Sequence, residues 1–197
     1  MHNPIQAFKT HWNQARTEND PNTNFCTLTT VSETGDPSAR ILVLREVTED
    51  AFSVFISGTS PKWDHLHQSP TAELLTFWPT LMIQYRVRGT VGEIAAEDLK
   101  QNWLKKPYAS KLLDHYYEKF HAQSSIISSR EELLQGIEQL KQEYPEAEQI
   151  PFPESAKGIC LKATHIEAWQ ESPGDRLHER YLYTLKESQW SQQVLVP

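Results

Sequence analysis

The chain has 197 residues, 38% of them hydrophobic and 10% aromatic, enough for one domain with a proper core and too few for a second full one. Its formal charge of −7 argues against a nucleic-acid scaffold, which would carry a large cationic excess, so any basic site must be local. The N-terminus has no basic-then-apolar leader and no apolar run approaches membrane length, so the sequence predicts a soluble cytoplasmic protein with no membrane or nucleic-acid partner. Cys26 and Cys160 lie in apolar, strand-like contexts and read as reduced core thiols, and no metal site is expected.

Ile5, Phe8, Trp12 and Ala15 recur at three- and four-residue spacing, which predicts an amphipathic helix over 4–17 with Pro4 in its first turn. Asp20-Pro21-Asn22 ends it. Phe25 to Val31 reads as a strand leading through Glu33-Thr34-Gly35-Asp36-Pro37 into a second strand that ends at Arg45. Four consecutive aliphatics, Ile41 to Val43 and Leu44, predict that this second strand is buried on both faces. Alternation puts Arg40, Leu42 and Leu44 on one face and Ile41, Val43 and Arg45 on the other. The two guanidinium groups then serve different surfaces, and either an anion or solvent must meet them.

Ala51 to Ser57 is a third strand, ending at Gly58-Thr59-Ser60-Pro61-Lys62 before a short helix. Small hydroxyl residues, a glycine and a lysine can hold an anion there, and the same residues make an ordinary helix cap at Ser60. Strands over 72–78 and 81–91 join at Pro79-Thr80. In the second, Gln84, Arg86 and Arg88 alternate with Ile83, Tyr85 and Val87, so one face is polar and either lines a cleft or meets water.

Helical spacing covers 96–106 and 108–120, and Ser129-Arg130-Glu131-Glu132 is a capping-box signature opening a third helix with Leu133, Leu134, Ile137 and Leu140 on its apolar stripe. The polar Gln123-Ser124-Ser125 lies between the last two. Strand patterns resume over 158–163 and 165–170, followed by a turn at Glu171-Ser172-Pro173-Gly174-Asp175. On a further strand starting at Arg176, the side chains of Arg176, His178 and Arg180 would project from one face, a cation row suited to a polyanionic ligand or to a charged sheet edge. The sum is one β-rich domain over 1–197, with a helical insertion at about 96–144 and strands within 157–197 completing the sheet.

Taken together, Ser38-Ala39-Arg40-Ile41-Leu42-Val43-Leu44, Gln123-Ser124-Ser125, and Trp169 followed by Arg176-Leu177-His178-Glu179-Arg180 resemble the pyridoxamine 5′-phosphate oxidase family over nearly the whole chain. The resemblance implies a mainly β fold, a six- to eight-stranded split β-barrel with an N-terminal helix, that binds FMN at a homodimer interface. It implies oxidation of pyridoxamine or pyridoxine 5′-phosphate to pyridoxal 5′-phosphate with release of hydrogen peroxide, or a close relative acting on another small anionic substrate. By the same resemblance Arg40, Ile41, Leu42 and Val43 lie along the flavin, with Phe55, Lys62, Gln84, Gln123, Ser124, Trp169 and Arg180 as further cofactor contacts. Arg176 and His178 take the catalytic positions and hold the substrate with Arg45, Asn102, Lys106 and Ser110.

The departures from the family pattern cluster at the phosphate grips. Pro61 replaces a cation before Lys62, Arg45 stands for a lysine, Lys106 for an arginine and Asn102 for a tyrosine, while the spacing from Trp169 to Arg176 is one residue longer. Arginine and lysine differ in geometry, so these exchanges can redraw a phosphate site at constant charge. An FMN-binding module or flavin carrier without B6-vitamer oxidation is therefore the alternative.

Overall fold

Helix α1 (Pro4–Thr17) forms where the apolar spacing places it, in a computed structural model that describes residues 3–197. Asn3 caps it, its side-chain oxygen accepting from the backbone N–H groups of Ile5 and Gln6, and Pro4 occupies the first turn where no N–H partner is needed. Its stripe of Ile5, Phe8, Trp12 and Ala15 is buried, with Phe8 edge-on to Phe52, Trp78 and Tyr85. The helix thereby plugs the apolar interior of a barrel.

That barrel is antiparallel, with strand order β3-β2-β1-β4-β5-β6 and a closing β3–β6 pairing. Its strands are β1 (Phe25–Val31), β2 (Pro37–Val47), β3 (Ala51–Ser57), β4 (Thr71–Trp78), β5 (Ile83–Glu93) and β6 (Ala156–Gln170). The two strand patterns over 158–170 are one strand of 15 residues. Its first half pairs with β3 and its second half with β7 (Glu179–Lys186), to which β8 (Gln189–Val194) is added, so the sheet both closes on itself and runs on. Closure leaves β2 and β3 without open edges.

Three sequence expectations change in detail. Strand β2 is not buried on both faces: Leu44 is 3% exposed in the core, whereas Ile41 is 71% exposed on the outer face. The strand also bulges, with a register shift against β3 between Leu44 and Glu46. And Arg176 and His178 do not lie on a strand, because β7 begins only at Glu179; Arg176 sits in the left-handed region with φ of 60°.

Between β5 and β6 the chain inserts α3 (Ala96–Leu104), α4 (Tyr108–Lys119) and α5 (Arg130–Glu143). Trp103, Leu112, Tyr116, Leu140 and Ile150 build a second apolar cluster there, apart from the barrel core. Ser129 caps α5 by accepting from Glu132 N–H at 3.3 Å, but the box stays half-made because the Glu132 carboxylate turns to Ser128 and His121. The short α2 (Pro61–Gln68) follows β3, with Pro61 in its first turn and Ser60 at the cap position. The Ser60 hydroxyl donates to the Ser57 carbonyl instead of capping.

Candidate functional site

Alternation on β2 points Arg40 inward at one end of the barrel, opposite Leu28 of β1. Its guanidinium donates to the Leu28 carbonyl at 3.1 Å, to Thr30 Oγ1 at 2.9 Å and to Ser38 Oγ at 2.7 Å, all neutral acceptors. The first turn of α2 brings Lys62 to the same place, where it is 7% exposed and its Nζ donates to Gln123 Oε1 at 2.9 Å. Burial, and secondarily repulsion from Arg40, push the Lys62 ammonium down to about 8. Neither cation is ion-paired among the described residues, so a half-buried and a buried positive charge lie close enough to repel with no carboxylate to offset them. Such a pair is costly unless an anion joins it. Gln123 is in turn held by its own backbone N–H, which donates to Thr59 Oγ1 at 3.2 Å, tying the β3–α2 turn to the loop after α4. Ser124, at φ of 72°, is exposed beside it.

Beyond Lys62 a cavity of about 240 Å³ opens between the barrel and the helical insertion. Leu42, Phe55 and Ser57 form its barrel wall, and Leu99, Trp103, Lys106, Ser110 and Tyr117 its helical wall. Phe55 also borders a neighbouring groove of about 530 Å³ that holds Arg45 and Asn102. Alternation accounts for this: Arg45 shares the outer face of β2 with Ile41 and Val43, and its Cζ lies 5.4 Å from the Phe55 ring centroid on neighbouring β3. Asn102 donates to the Asp98 carbonyl at 2.9 Å within α3.

The remaining predicted residues gather elsewhere. Gln84 on β5 pairs with Trp169 on β6, which pairs with Arg180 on β7. The Trp169 and His178 rings lie 4.8 Å apart. His178 Nδ1 accepts from the Ser172 N–H at 3.2 Å, so in the neutral ring the proton sits on Nε2. Arg180 is engaged by Glu167 at 2.9 Å, and the same carboxylate reaches Arg86, which also binds Glu73 at 2.9 Å. The polar face read along β5 is thus partly spent on an internal charge network, and the row of Arg176, His178 and Arg180 is divided between a loop and a strand. Trp169 borders a separate cavity with His11, Tyr85 and Tyr181. The predicted residues therefore gather at two separate places on the chain. On the outer face, Ile41, with Thr27, Leu75 and Phe77, lines a shallow apolar depression, and Val43 is half-buried.

The family model described as pyridoxamine 5′-phosphate oxidase matches residues 15–144 of this chain. The chain belongs to that family. Curated relatives named pyridoxine/pyridoxamine 5′-phosphate oxidase include one from a Cyanothece species, 37% identical over 195 residues, covering 99% of this chain and 89% of that protein. Another, from Rhodopirellula baltica, is 34% identical over 200 residues, covering 98% and 87%. Among solved structures, PhzG from Burkholderia lata, in complex with tetrahydrophenazine-1-carboxylic acid, superposes with a TM-score of 0.88 at 21% identity, covering 98% of this chain and 92% of that one. A pyridoxamine 5′-phosphate oxidase-related, FMN-binding protein from Nostoc punctiforme gives 0.76 at 20% identity with full coverage of both chains. At those identities the likeness is one of fold, the split barrel of the family. Membership makes the protein an oxidoreductase of the pyridoxamine 5′-phosphate oxidase type.

Two charged cavity residues escaped the sequence reading. Lys157, at the start of β6, and Asp114 both line the cavity beyond Lys62. Asp114 carried a usable signal, since it falls one helical turn after Ser110 and so shares its face. Lys157 carried none, because its position depends on the β3–β6 pairing that puts it opposite Ile56.

Proposed function

We propose that this protein is an FMN-dependent oxidase of pyridoxamine and pyridoxine 5′-phosphate, yielding pyridoxal 5′-phosphate and hydrogen peroxide, and that it works as a homodimer with the flavin between subunits. The observation that carries this reading is the buried Lys62 with half-buried Arg40 near it, neither with a carboxylate partner among the described residues, where Lys62 meets a cavity whose other wall bears Lys106 and Ser110. The donor set fits the phosphate of FMN: a guanidinium braced by the hydroxyls of Thr30 and Ser38 lies near an ammonium, and an anion there offsets the mutual repulsion. When bound, FMN supplies the two-electron acceptor that oxidises the substrate carbon and is regenerated by oxygen.

The chain's own residues then have to bind and orient. Lys62 and Arg40 anchor the phosphate, with Gln123 keeping the Lys62 ammonium in place; Leu42, Phe55 and Trp169 give apolar surface for a planar ring, and Ile41, Val43, Gln84 and Ser124 further contacts along it. On the substrate side Lys106 and Ser110 reach the cavity, while Arg45 and Asn102 approach from the groove across Phe55. His178 presents Nε2–H as a donor because Nδ1 is occupied, and Arg176 on the same loop supplies an exposed cation for orienting the substrate ring. The alternative of a flavin carrier without turnover rested partly on Pro61. At the first position of α2 a proline costs the helix nothing, so what is lost there is one cation and one backbone N–H that could have met the phosphate.

The visible spectrum of the purified protein should show flavin bands, and both vitamers should give pyridoxal 5′-phosphate. Arg176→Ala should keep the flavin and lose about 10²-fold or more in turnover. Flavin bands without turnover on either vitamer would overturn the substrate assignment alone, whereas a colourless protein that takes up no added FMN would overturn both.

A further inference from the structure

The helical wall of the cavity carries a carboxylate that the proposed reaction does not require. Asp114 projects from α4 one turn beyond Ser110 and forms an ion pair with Lys106 through Oδ2. The same oxygen accepts from Trp103 Nε1 at 3.3 Å, and all four of these residues line the cavity. The Lys106 and Asp114 side chains are only 23% and 18% exposed, so the pair is screened less than one on the open surface. The neighbouring cation on α4, Lys111, is engaged elsewhere: its Nζ lies 4.5 Å over the Trp103 ring and donates to the Ala147 carbonyl. Lys62 is held across the cavity by Gln123. Lys106 thus brings no net charge to the place where it meets an incoming anion.

We propose that Asp114 sets the charge of the substrate end of this cavity, cancelling Lys106 and so holding down the affinity for the phosphate of both substrate and product. The inference rests on the reading above, in which Lys106 and Ser110 face the substrate's phosphate. A phosphate dianion that engages Lys106 comes up against a partly buried like charge, and such juxtapositions discriminate strongly between ligands. The consequence is a site that gives up pyridoxal 5′-phosphate readily. Asparagine at this position keeps an oxygen for Trp103 Nε1 and Lys106 Nζ while removing the charge, so Asp114→Asn separates electrostatics from geometry.

The holoenzyme and its Asp114→Asn variant are titrated with pyridoxal 5′-phosphate, with pyridoxal, which lacks the phosphate, and calorimetrically with inorganic phosphate. The variant should bind pyridoxal 5′-phosphate and inorganic phosphate about tenfold tighter or more, with pyridoxal changed less than about twofold. In steady state, KM for pyridoxamine 5′-phosphate should fall while kcat stays level or drops as product release slows. Asp114→Ala should show the same tightening with a lower melting temperature, since Trp103 and Lys106 lose their acceptor. Unchanged or weaker binding of inorganic phosphate to both variants overturns the proposal. Failure of pyridoxal 5′-phosphate and pyridoxal to bind, with inorganic phosphate still tightened, would instead remove the B6 substrate and leave the charge-setting role in place.

Discussion

At the scale of single residues, Lys62 is the group whose chemistry depends most on its surroundings. The sequence places a lysine after a turn of small hydroxyl residues and puts Arg40 on a known face of β2; that the two meet was not legible, because the meeting depends on where α2 crosses the barrel end. Their encounter has a measurable consequence. Burial first, and Arg40 second, lower the Lys62 ammonium from 10.5 to about 8. Between these values the unfolded chain binds more protons than the folded one, so the stability of the FMN-free protein should rise as pH increases across that window, with the cost of the buried charge fully present below about 8. An anion reverses the preference by favouring the charged form. FMN affinity should therefore be flat from pH 7 to about 8 and fall above it, as binding begins to require proton uptake. Fluorescence titrations from pH 7 to 9.5 read this directly. Lys62→Met should bind FMN ~10- to 100-fold more weakly and lose the slope; a slope that survives the substitution would place the phosphate elsewhere.

At the scale of elements, periodicity reported helices and strands well and pairing poorly. Helix α1 and the buried side of α4 came from 3.6-residue spacing alone, since each buries one face whatever it packs on; on α5 the spacing placed Leu140 correctly, but Leu134, read onto the same stripe, is 52% exposed. Arg176, His178 and Arg180 misled because perfect alternation is necessary for a strand without being sufficient. A strand also needs a partner, and β6 ends at Gln170 opposite Glu179, which leaves 171–178 to form the connecting loop. The bulges were equally hidden. One lies between Leu44 and Glu46 and leaves Arg45 on the outer face that alternation gives it, near Phe55. The other lies between Arg88 and Gly89, where β5 presses so closely on β6 that a Cβ on Gly89 would sit 1.8 Å from the Lys162 carbonyl oxygen. That atom is backbone in a ladder and cannot swing away. Gly89→Ala should accordingly cost more than the ~1–3 kcal/mol usual for an overpacked core, seen as a lower denaturation midpoint or as insoluble protein. A variant as stable as the parent would mean that β5 and β6 pair differently here.

At the scale of the whole molecule, the chain keeps two apolar cores, and the cavity lies in the seam between them: the barrel gives Leu42, Phe55 and Lys62, the helical insertion Lys106, Ser110 and Gln123. The family resemblance was legible in short motifs because it rests on the identity and order of side chains within each segment, which sequence shows directly. The seam was not, since it arises from packing between segments some sixty residues apart. Trp169, with His178 and Arg180 beside it, borders a different cavity, and the outer barrel face exposes Ile41 at 71% and Phe25 at 45%. Apolar side chains this exposed, beside residues with no ligand to share in one chain, are what a two-fold assembly would use, each cavity being completed by the partner's loop. Mixing inactive variants tests that arrangement. Lys62→Ala damages the cavity and Arg176→Ala the loop, so each homodimer has two dead sites. If the contributions come from different subunits, a mixed dimer pairs the intact cavity of one chain with the intact loop of the other and keeps one parental site. Random subunit exchange should then restore about a quarter of the parental activity. If both contributions come from one chain, every site in the mixed dimer carries a lesion and the mixture stays as inactive as its parts.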